Sequence, residues 1–225
     1  SWQLQVMKSL KFLLVTWLIV VVAMFAGSPY YTAYQLKKAY DANDGATLVS
    51  YINFDQVQPN IQNQLTTQFD HTLQQYPLVA QLGGDALTQA ADDFITLSVN
   101  KAVTADNISN LIDTQGQANQ ATKELAAAWA IASNKVNLTN LIQDLLIQRG
   151  DIQAVIQNQM QQVMNQQSGE LQSHVESGED SAKPKLSYCG LNCFTLSGQV
   201  KGYPLTLEMQ REGLFGWKVV NVVLP

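Results

Sequence analysis

The sequence predicts an α+β protein in which an N-terminal transmembrane helix precedes several helices packed on a C-terminal, three- to four-stranded antiparallel β-meander. Three observations predict it. Residues 12–26, FLLVTWLIVVVAMFA, form an uninterrupted apolar run. Apolar residues then recur at intervals of three or four up to residue 113, and from residue 186 the pattern changes to alternation. Helices followed by a block of strands are typical of the α+β class.

The apolar run is the first element. As a helix its fifteen residues measure about 22 Å, short of a hydrocarbon core of roughly 30 Å. Leu10 extends the run, Lys11 can reach the head groups on one side, and Tyr30 and Tyr31 can lie in the opposite interface. Residues 7–28 are therefore predicted to be a signal anchor that crosses a membrane once.

A cleaved signal peptide is the alternative, since cleavage depends on small residues at the first and third positions before the cut. Cuts after residue 26 or 27 place Met24 or Phe25 at the third position, and a cut after residue 28 is followed by Pro29. Each of these sites has a flaw, so the sequence favours an uncleaved anchor.

The flanking charges predict the orientation of the anchor. Lys8 and Lys11 precede the run and favour a cytoplasmic N-terminus, which places the residues from 28 onward outside the cytoplasm. Residues 1–6 precede Met7 and are expected to be an extension or cloning remnant, separate from the fold.

Composition excludes two classes of partner. The net charge is −5 and only 14% of residues are charged. Nucleic acids and flat adhesion to anionic lipid both require a basic patch, and the sequence has no cluster of Lys and Arg interleaved with aromatic residues. Partners are therefore expected to be the membrane itself, an apolar ligand or another protein.

Residues 29–113 are predicted to form the helical part of the domain. Ser28 and Pro29 suggest a helix start at Pro29, and DANDG at residues 41–45 suggests a turn. A calcium loop is disfavoured there because Gly45 is fifth and Ile52 occupies the twelfth position, where a glutamate is needed. The longest helical pattern follows Asn53. Its apolar face contains Val57, Ile61, Leu65, Phe69, Leu73 and Tyr76.

The C-terminal half is predicted to have three parts. Residues 114–167 are a Gln-rich helical insertion, residues 168–185 have the composition of a flexible linker, and residues 186–225 form the meander. Within the meander, residues 217–224 are apolar on both faces apart from Lys218 and Asn221. We therefore expect this last strand to be the central or the most covered one.

The sequence offers no catalytic, cofactor or metal site. It contains two cysteines and two histidines, and Cys189 and Cys193 alone would leave a zinc ion without two ligands. In an oxidising compartment this pair is expected to close a disulfide, while a redox-active pair is disfavoured because the spacing is not C-x-x-C. His71 and His174 are expected to be solvated. An enzyme is therefore not expected.

Two segments resemble a known family. SPYYTAYQLKKAYDANDGATLVSYINFDQVQPNIQNQL and REGLFGWKVVNVVLP resemble the opening and the ending of the bacterial envelope family named domain of unknown function 2939, over roughly residues 28–112 and 186–225. The resemblance implies a membrane-anchored bacterial envelope protein. With the orientation predicted from Lys8 and Lys11, α-helical residues 7–28 would cross the bacterial inner membrane, with the N-terminus in the cytoplasm and the domain in the periplasm. After cleavage the domain would be a free periplasmic protein. It implies no activity and no site residues.

Two functions fit these features. The first is a noncatalytic tethered domain that binds an apolar ligand, a lipid or an envelope protein between helices and sheet, by analogy with the nuclear-transport-factor-2-like or cystatin-like folds. The alternative is a scaffolding protein that acts through its Gln-rich helices without a ligand. Six apolar residues of the meander are candidate ligand-lining residues, although filling the core is the favoured role for them: Phe194, Leu196, Leu207, Met209, Trp217 and Val219.

Overall fold

The computed structural model describes residues 2–76, 84–117, 119–135, 183–200 and 202–225, together with Gln161, Gln162 and Asn165. The helices in these ranges are α1 Trp2–Asp41, α2 Gly45–Ser50, α3 Phe54–Leu73, α4 Gly84–Ala102, α5 Ala105–Asp113 and α6 Gln120–Ala132. The strands are β1 Lys185–Gly190, β2 Cys193–Val200, β3 Tyr203–Glu212 and β4 Gly216–Val223. The predicted α+β class, with helices before an antiparallel meander, is confirmed.

Helix α1 combines the predicted anchor and the first helix of the domain. We predicted a new helix starting at Pro29, and this prediction is wrong, because α1 continues through Pro29 without interruption. Its apolar stretch is long and apolar enough to cross a membrane, and none of that stretch is buried against the domain. Beyond it Ala33, Leu36 and Ala39 are buried. One helix therefore passes from an exposed apolar half to a half that belongs to the core.

The helices of residues 45–113 follow the predicted periodicity. Val57, Ile61, Leu65, Phe69 and Leu73 of α3 are all buried in one core cluster, as the spacing of three and four predicts. Helix α5 is capped at its N-terminus. There Thr104 accepts a hydrogen bond from the backbone N–H of Asn107 at 3.1 Å.

Helices α2 and α5 approach each other closely at Gly45. The backbone N–H of Gly45 donates to a carboxylate oxygen of Asp113 at 2.8 Å. A Cβ atom on Gly45 would overlap the backbone carbonyl group of Ser109. The predicted DANDG turn ends here, because the side chain of Asp44 caps α2 and Gly45 is the first residue of α2. Only glycine allows the close approach of the two helices at this position.

The sheet is a four-stranded antiparallel meander in the order β1-β2-β3-β4. Phe194 pairs with Met209, and Met209 pairs with Val219. These inward positions are buried, while polar pairs such as Ser187 with Thr195 lie on the opposite face. The period of two therefore divides the sheet into a covered face and a polar face, as predicted.

Strand β4 is covered but is not central. It lies at one edge of the sheet, with Trp217 and Val219 buried beneath the helices. The connection between α2 and α3 satisfies part of this edge, because the N–H of Val219 donates to Tyr51 O at 2.7 Å and the N–H of Asn53 donates to Val219 O at 2.8 Å. The non-helical connection between α2 and α3 thus takes the place of a fifth strand at this edge, which the apolar pattern could not show.

The first part of the predicted insertion belongs to the main core. Ala127, Ala128, Ile131 and Ala132 of α6 are buried in the same cluster as α3 and α4. The indole N–H of Trp129 donates to Pro225 O at 3.1 Å, which fixes the C-terminus against α6. The helices predicted after residue 136, apart from three isolated residues, and most of the 168–185 linker lie outside the described residues.

Candidate functional site at the junction of helix and sheet

The six candidate ligand-lining residues lie on the covered face of the sheet. Phe194, Met209, Trp217 and Val219 are fully buried in the core cluster, and Leu196 and Leu207 are half-buried and packed against it. Their side chains contribute to the hydrophobic core. Whether any of them also contacts a ligand stays a prediction.

A second set of residues joins α1 to the end of the sheet where the turns β1–β2 and β3–β4 lie. We call it the helix–sheet junction, and it consists of Phe25, Ala26, Ser28, Tyr188, Arg211 and Trp217.

Pro29 explains why the junction is needed. Proline has no N–H, so the carbonyl four residues earlier, Phe25 O, loses its helical donor. A buried carbonyl without a donor is costly, and other groups must supply one.

The junction supplies those donors from within the turn and from the sheet. The Ser28 hydroxyl donates to Phe25 O at 2.7 Å, and Arg211 Nη1 donates to the same oxygen at 3.2 Å. The next carbonyl, Ala26 O, accepts from the Tyr188 hydroxyl at 2.6 Å. The helix therefore passes through Pro29 with the carbonyls of Phe25 and Ala26 bonded to residues of two strands.

Arg211 connects three segments of the chain. Its guanidinium donates to Phe25 O and Ser28 Oγ on α1, and to Leu214 O in the β3–β4 turn at 2.7 Å. Nε and Nη2 donate to Leu191 O in the β1–β2 turn at 3.2 and 3.1 Å. Arg211 is only 9% exposed, and carbonyl and hydroxyl oxygens rather than a carboxylate accept these described bonds.

Two aromatic rings cover the Arg211 guanidinium. The Arg211 guanidinium lies 3.6 Å from the centroid of the Phe25 ring and 4.5 Å from that of Trp217. Both rings present electron-rich faces to the charge, an interaction that strengthens where water is excluded. Trp217 also donates its indole N–H to Ser28 Oγ at 2.8 Å. The cation is thus held by three segments through charge-assisted bonds, which are stronger than neutral ones.

An aromatic cluster continues from the junction into the core. Tyr30 lies with its centroid 5.0 Å from that of Phe194 and 6.3 Å from that of Tyr188, in edge-to-face arrangements. Tyr188 and Phe194 are 5.2 Å apart in the same geometry. Such pairs add to the energy of burial and fix ring orientation. They bind the first turn of α1 beyond Pro29 to strands β1 and β2.

The predicted disulfide is present at this end of the sheet. Cys189 and Cys193 are bonded and close the turn that connects β1 and β2. Leu191 lies in that turn, and its carbonyl is the acceptor for Arg211. The disulfide therefore restrains the segment that receives two bonds from the buried cation.

Among the acidic groups, Asp92 on α4 has a perturbed environment. Burial raises the pKa of its carboxyl, and the negative charges of Asp70 and Asp93 raise it further. One of its carboxylate oxygens is buried without a hydrogen-bond partner among the described residues. His71, the one described imidazole, is exposed on α3.

An open cleft of about 350 Å³ lies at the β4 edge, lined by Ile52, Asn53, Phe54, Asp55, Glu212 and Lys218. Lys218 donates from Nζ to Ser50 O at 2.6 Å. Within the described ranges, no three His, Cys, Asp or Glu residues are placed to hold a metal ion. The cleft therefore has polar walls without a metal-binding arrangement in that part of the chain.

Sequence analysis did not identify Arg211 or Tyr188 as site residues, although the pattern contained a signal. Arg211 follows Leu207 and Met209 in the period of two, so it occupies an inward position in β3. A charged residue at an inward position needs partners, and this need marks it as a structural or functional residue. Its partners on α1 are more than 180 residues away, so the sequence could not name them.

Comparison with known proteins supports the family resemblance. A family model described as "Protein of unknown function (DUF2939)" matches residues 18–111. The curated proteins and the solved structures gave no significant match. The matched span includes the apolar end of α1, Pro29 and helices α2 to α4, whereas the C-terminal meander lies outside it. Residues 18–111 of this chain are thus similar to the DUF2939 family, whose function is unknown.

Proposed function

We propose that this chain is a noncatalytic domain tethered to a bacterial inner membrane by α1, with its N-terminus in the cytoplasm and the domain in the periplasm. In this position it binds an apolar small ligand, a lipid or an envelope protein. The observation that carries the proposal is the helix–sheet junction. It joins the apolar half of α1 directly to the folded domain, with no linker between them.

The junction supports an uncleaved anchor over a cleaved signal peptide. Cleavage after residue 26, 27 or 28 would remove Phe25 and Ala26, whose carbonyls accept from Arg211 and Tyr188. The buried guanidinium would then lose an acceptor and the Phe25 ring that covers it. Cleavage would thus leave a buried cation with fewer partners, which is destabilising. This cost favours a chain that retains residues 25–28.

The noncatalytic part of the proposal rests on the chemistry of the side chains. Acyl, phosphoryl and metal-assisted reactions need a nucleophile beside a base, a phosphate-binding loop or a metal cluster. The sequence contains two histidines and two cysteines, and the cysteines are joined in a disulfide. The periplasmic location is supported by the same disulfide, since such bonds persist in oxidising compartments.

Membrane fractionation combined with protease treatment tests the tether and the topology. The protein should stay in the membrane pellet after alkaline carbonate washing, which removes peripheral proteins. Protease added to spheroplasts should then degrade the domain, while a cytoplasmic control protein survives. Recovery in the soluble fraction, or a domain that becomes sensitive only after lysis, would overturn the proposal.

A native mass spectrum of the full chain, extracted without added lipid, tests the type of ligand. An extra mass in the lipid range supports ligand or lipid binding by the domain. Self-association or a bound protein without a small ligand would instead support the scaffolding alternative, which depends on the Gln-rich helices of residues 114–167.

A further inference from the structure

Three exposed apolar side chains lie at the tips of the two β-turns next to α1. Leu191 in the β1–β2 turn is 77% exposed, and Leu214 and Phe215 in the β3–β4 turn are 63% and 41% exposed. Alternate turns of a meander lie at the same end of the sheet, so both turns face the same direction. We call these three residues the hairpin tips.

Arg211 fixes the level of the hairpin tips along α1. The Arg211 guanidinium donates hydrogen bonds to Leu191 O, Leu214 O and Phe25 O. Phe25 is the second-last residue of the apolar run at residues 12–26. The hairpin tips therefore lie beside the point where α1 leaves its apolar stretch.

The exposed side chains of α1 indicate the environment of the hairpin tips. On the N-terminal side of Val21 every described side chain of α1 is exposed, and Val21 and Phe25 are half-buried. If α1 spans a bilayer, the space next to this turn of the helix is filled by the boundary between head groups and acyl chains. Leucine and phenylalanine are favoured there, and a protein partner would have to displace lipid to reach them.

Tyrosines mark the same boundary on α1 itself. Tyr30, Tyr31 and Tyr34 follow the apolar run and are exposed. Tyrosine is enriched at membrane–water interfaces, where its ring contacts apolar groups and its hydroxyl contacts water. The helix and both turns thus present interfacial side chains at one end of the domain.

We propose that Leu191, Leu214 and Phe215 insert into the interfacial layer of the leaflet from which α1 emerges, so that lipid is the partner of this surface. The inference rests on the proposed tether. It adds that the domain lies on the bilayer at two turns besides the helix, which fixes its tilt. The disulfide at Cys189 and Cys193 and the bonds of Arg211 hold both turns in position for this contact.

Depth-dependent fluorescence quenching of the full chain in vesicles tests the inference. The vesicles contain phosphatidylethanolamine and phosphatidylglycerol, with nitroxide-labelled phosphatidylcholine as quencher. A single cysteine replaces Leu214 and carries the fluorophore NBD, and labelling without reduction keeps the native disulfide closed. Leu18→Cys in the span is the positive control, and Leu97→Cys, an exposed leucine on α4, is the matched negative control.

The inference predicts blue-shifted emission at position 214 and quenching by nitroxides near the head groups, at a depth of about 5–10 Å. Position 18 should be quenched by deep nitroxides, and position 97 by neither. If position 18 is quenched and position 214 behaves like position 97, the tip insertion is wrong and the tether stands. If position 18 is not quenched, both proposals fail. Should Leu214→Cys not fold, Phe215→Cys in the same turn replaces it.

Discussion

At the residue scale, Arg211 is the side chain on which the junction depends. Its five donor contacts reach α1 and both turns, and no other described side chain bonds all three. A hydrophobic residue of equal length would keep the packing against Phe25 and Trp217 but would leave the carbonyls unpaired. The cost of leaving buried acceptors without donors usually exceeds the net value of the bonds themselves.

The substitution Arg211→Met is therefore expected to lower the free energy of unfolding by about 2–4 kcal/mol. Thermal unfolding of the full chain in lipid nanodiscs, followed by near-ultraviolet circular dichroism of the tryptophans, measures it. Lys37→Met is the matched control, because Lys37 is exposed and pairs only with Asp41 on its own helix. That control should change stability by less than about 0.5 kcal/mol. Equal effects of the two variants would contradict the role given to Arg211.

Asp92 gives a prediction about pH. Its folded-state pKa is raised by burial and by the charges of Asp70 and Asp93, so the native state holds this proton more tightly than the unfolded chain does. The group's contribution is then fully present below the ordinary value of 3.8 and is lost as pH rises through the raised pKa.

Asp92→Asn should therefore be more stable than the natural protein at neutral pH, with the difference vanishing below pH 4. The gain should be small, because solvent screens a carboxyl that is partly exposed. Denaturation curves at a series of pH values measure this difference. Asp93→Asn removes only a neighbouring charge and should give a smaller change of the same sign. A neutral-pH loss of stability in Asp92→Asn would mean that the charged carboxylate is stabilised by groups outside the described residues.

At the element scale, the contact of α2 with α5 depends on the absence of a side chain at position 45. Gly45→Ala places a methyl group on the backbone carbonyl of Ser109, and two helices must separate to accept it. We expect a loss of about 1–3 kcal/mol, measured by chemical denaturation. Gly27→Ala is the control, since a Cβ at residue 27 of α1 meets no atom within 4 Å. Because alanine favours helix, the control should be neutral or stabilising.

The comparison of prediction and structure at this scale separates local from long-range signals. The buried face of α3 and the alternation in β3 followed from spacing alone. The continuity of α1 did not, because proline is normally a helix start or break. Its carbonyls are satisfied by Tyr188 and Arg211, which are 162 and 186 residues away. No local pattern contains that information.

The position of β4 shows the same limit. Its apolar residues on both faces predicted the central or the most covered strand. Trp217 and Val219 are buried on one face, but β4 lies at the edge of the sheet. Sequence could not show that part of the cover at the edge comes from the backbone of Tyr51 and Asn53. The six candidate ligand-lining residues lie on the covered face, and their contact with a ligand stays a prediction. The junction itself had to be found from the structure.

At the scale of the whole molecule, an uninterrupted helix that is long and apolar enough to cross a membrane is joined to a domain through a buried cation. Local unfolding of this junction would separate the turns from α1 and release the domain from its fixed position. Our main proposal is that α1 is retained in the mature protein as an anchor and that the domain lies in an oxidising compartment.

The intact mass of the protein extracted from its host membrane tests this claim most directly, with and without a thiol-alkylating reagent added before reduction. We predict a mass that includes the apolar run at residues 12–26, with neither Cys189 nor Cys193 alkylated. A mass that begins after residue 26, 27 or 28 would contradict the anchor. Alkylated cysteines in an uncleaved chain would place the domain on the opposite side of the membrane.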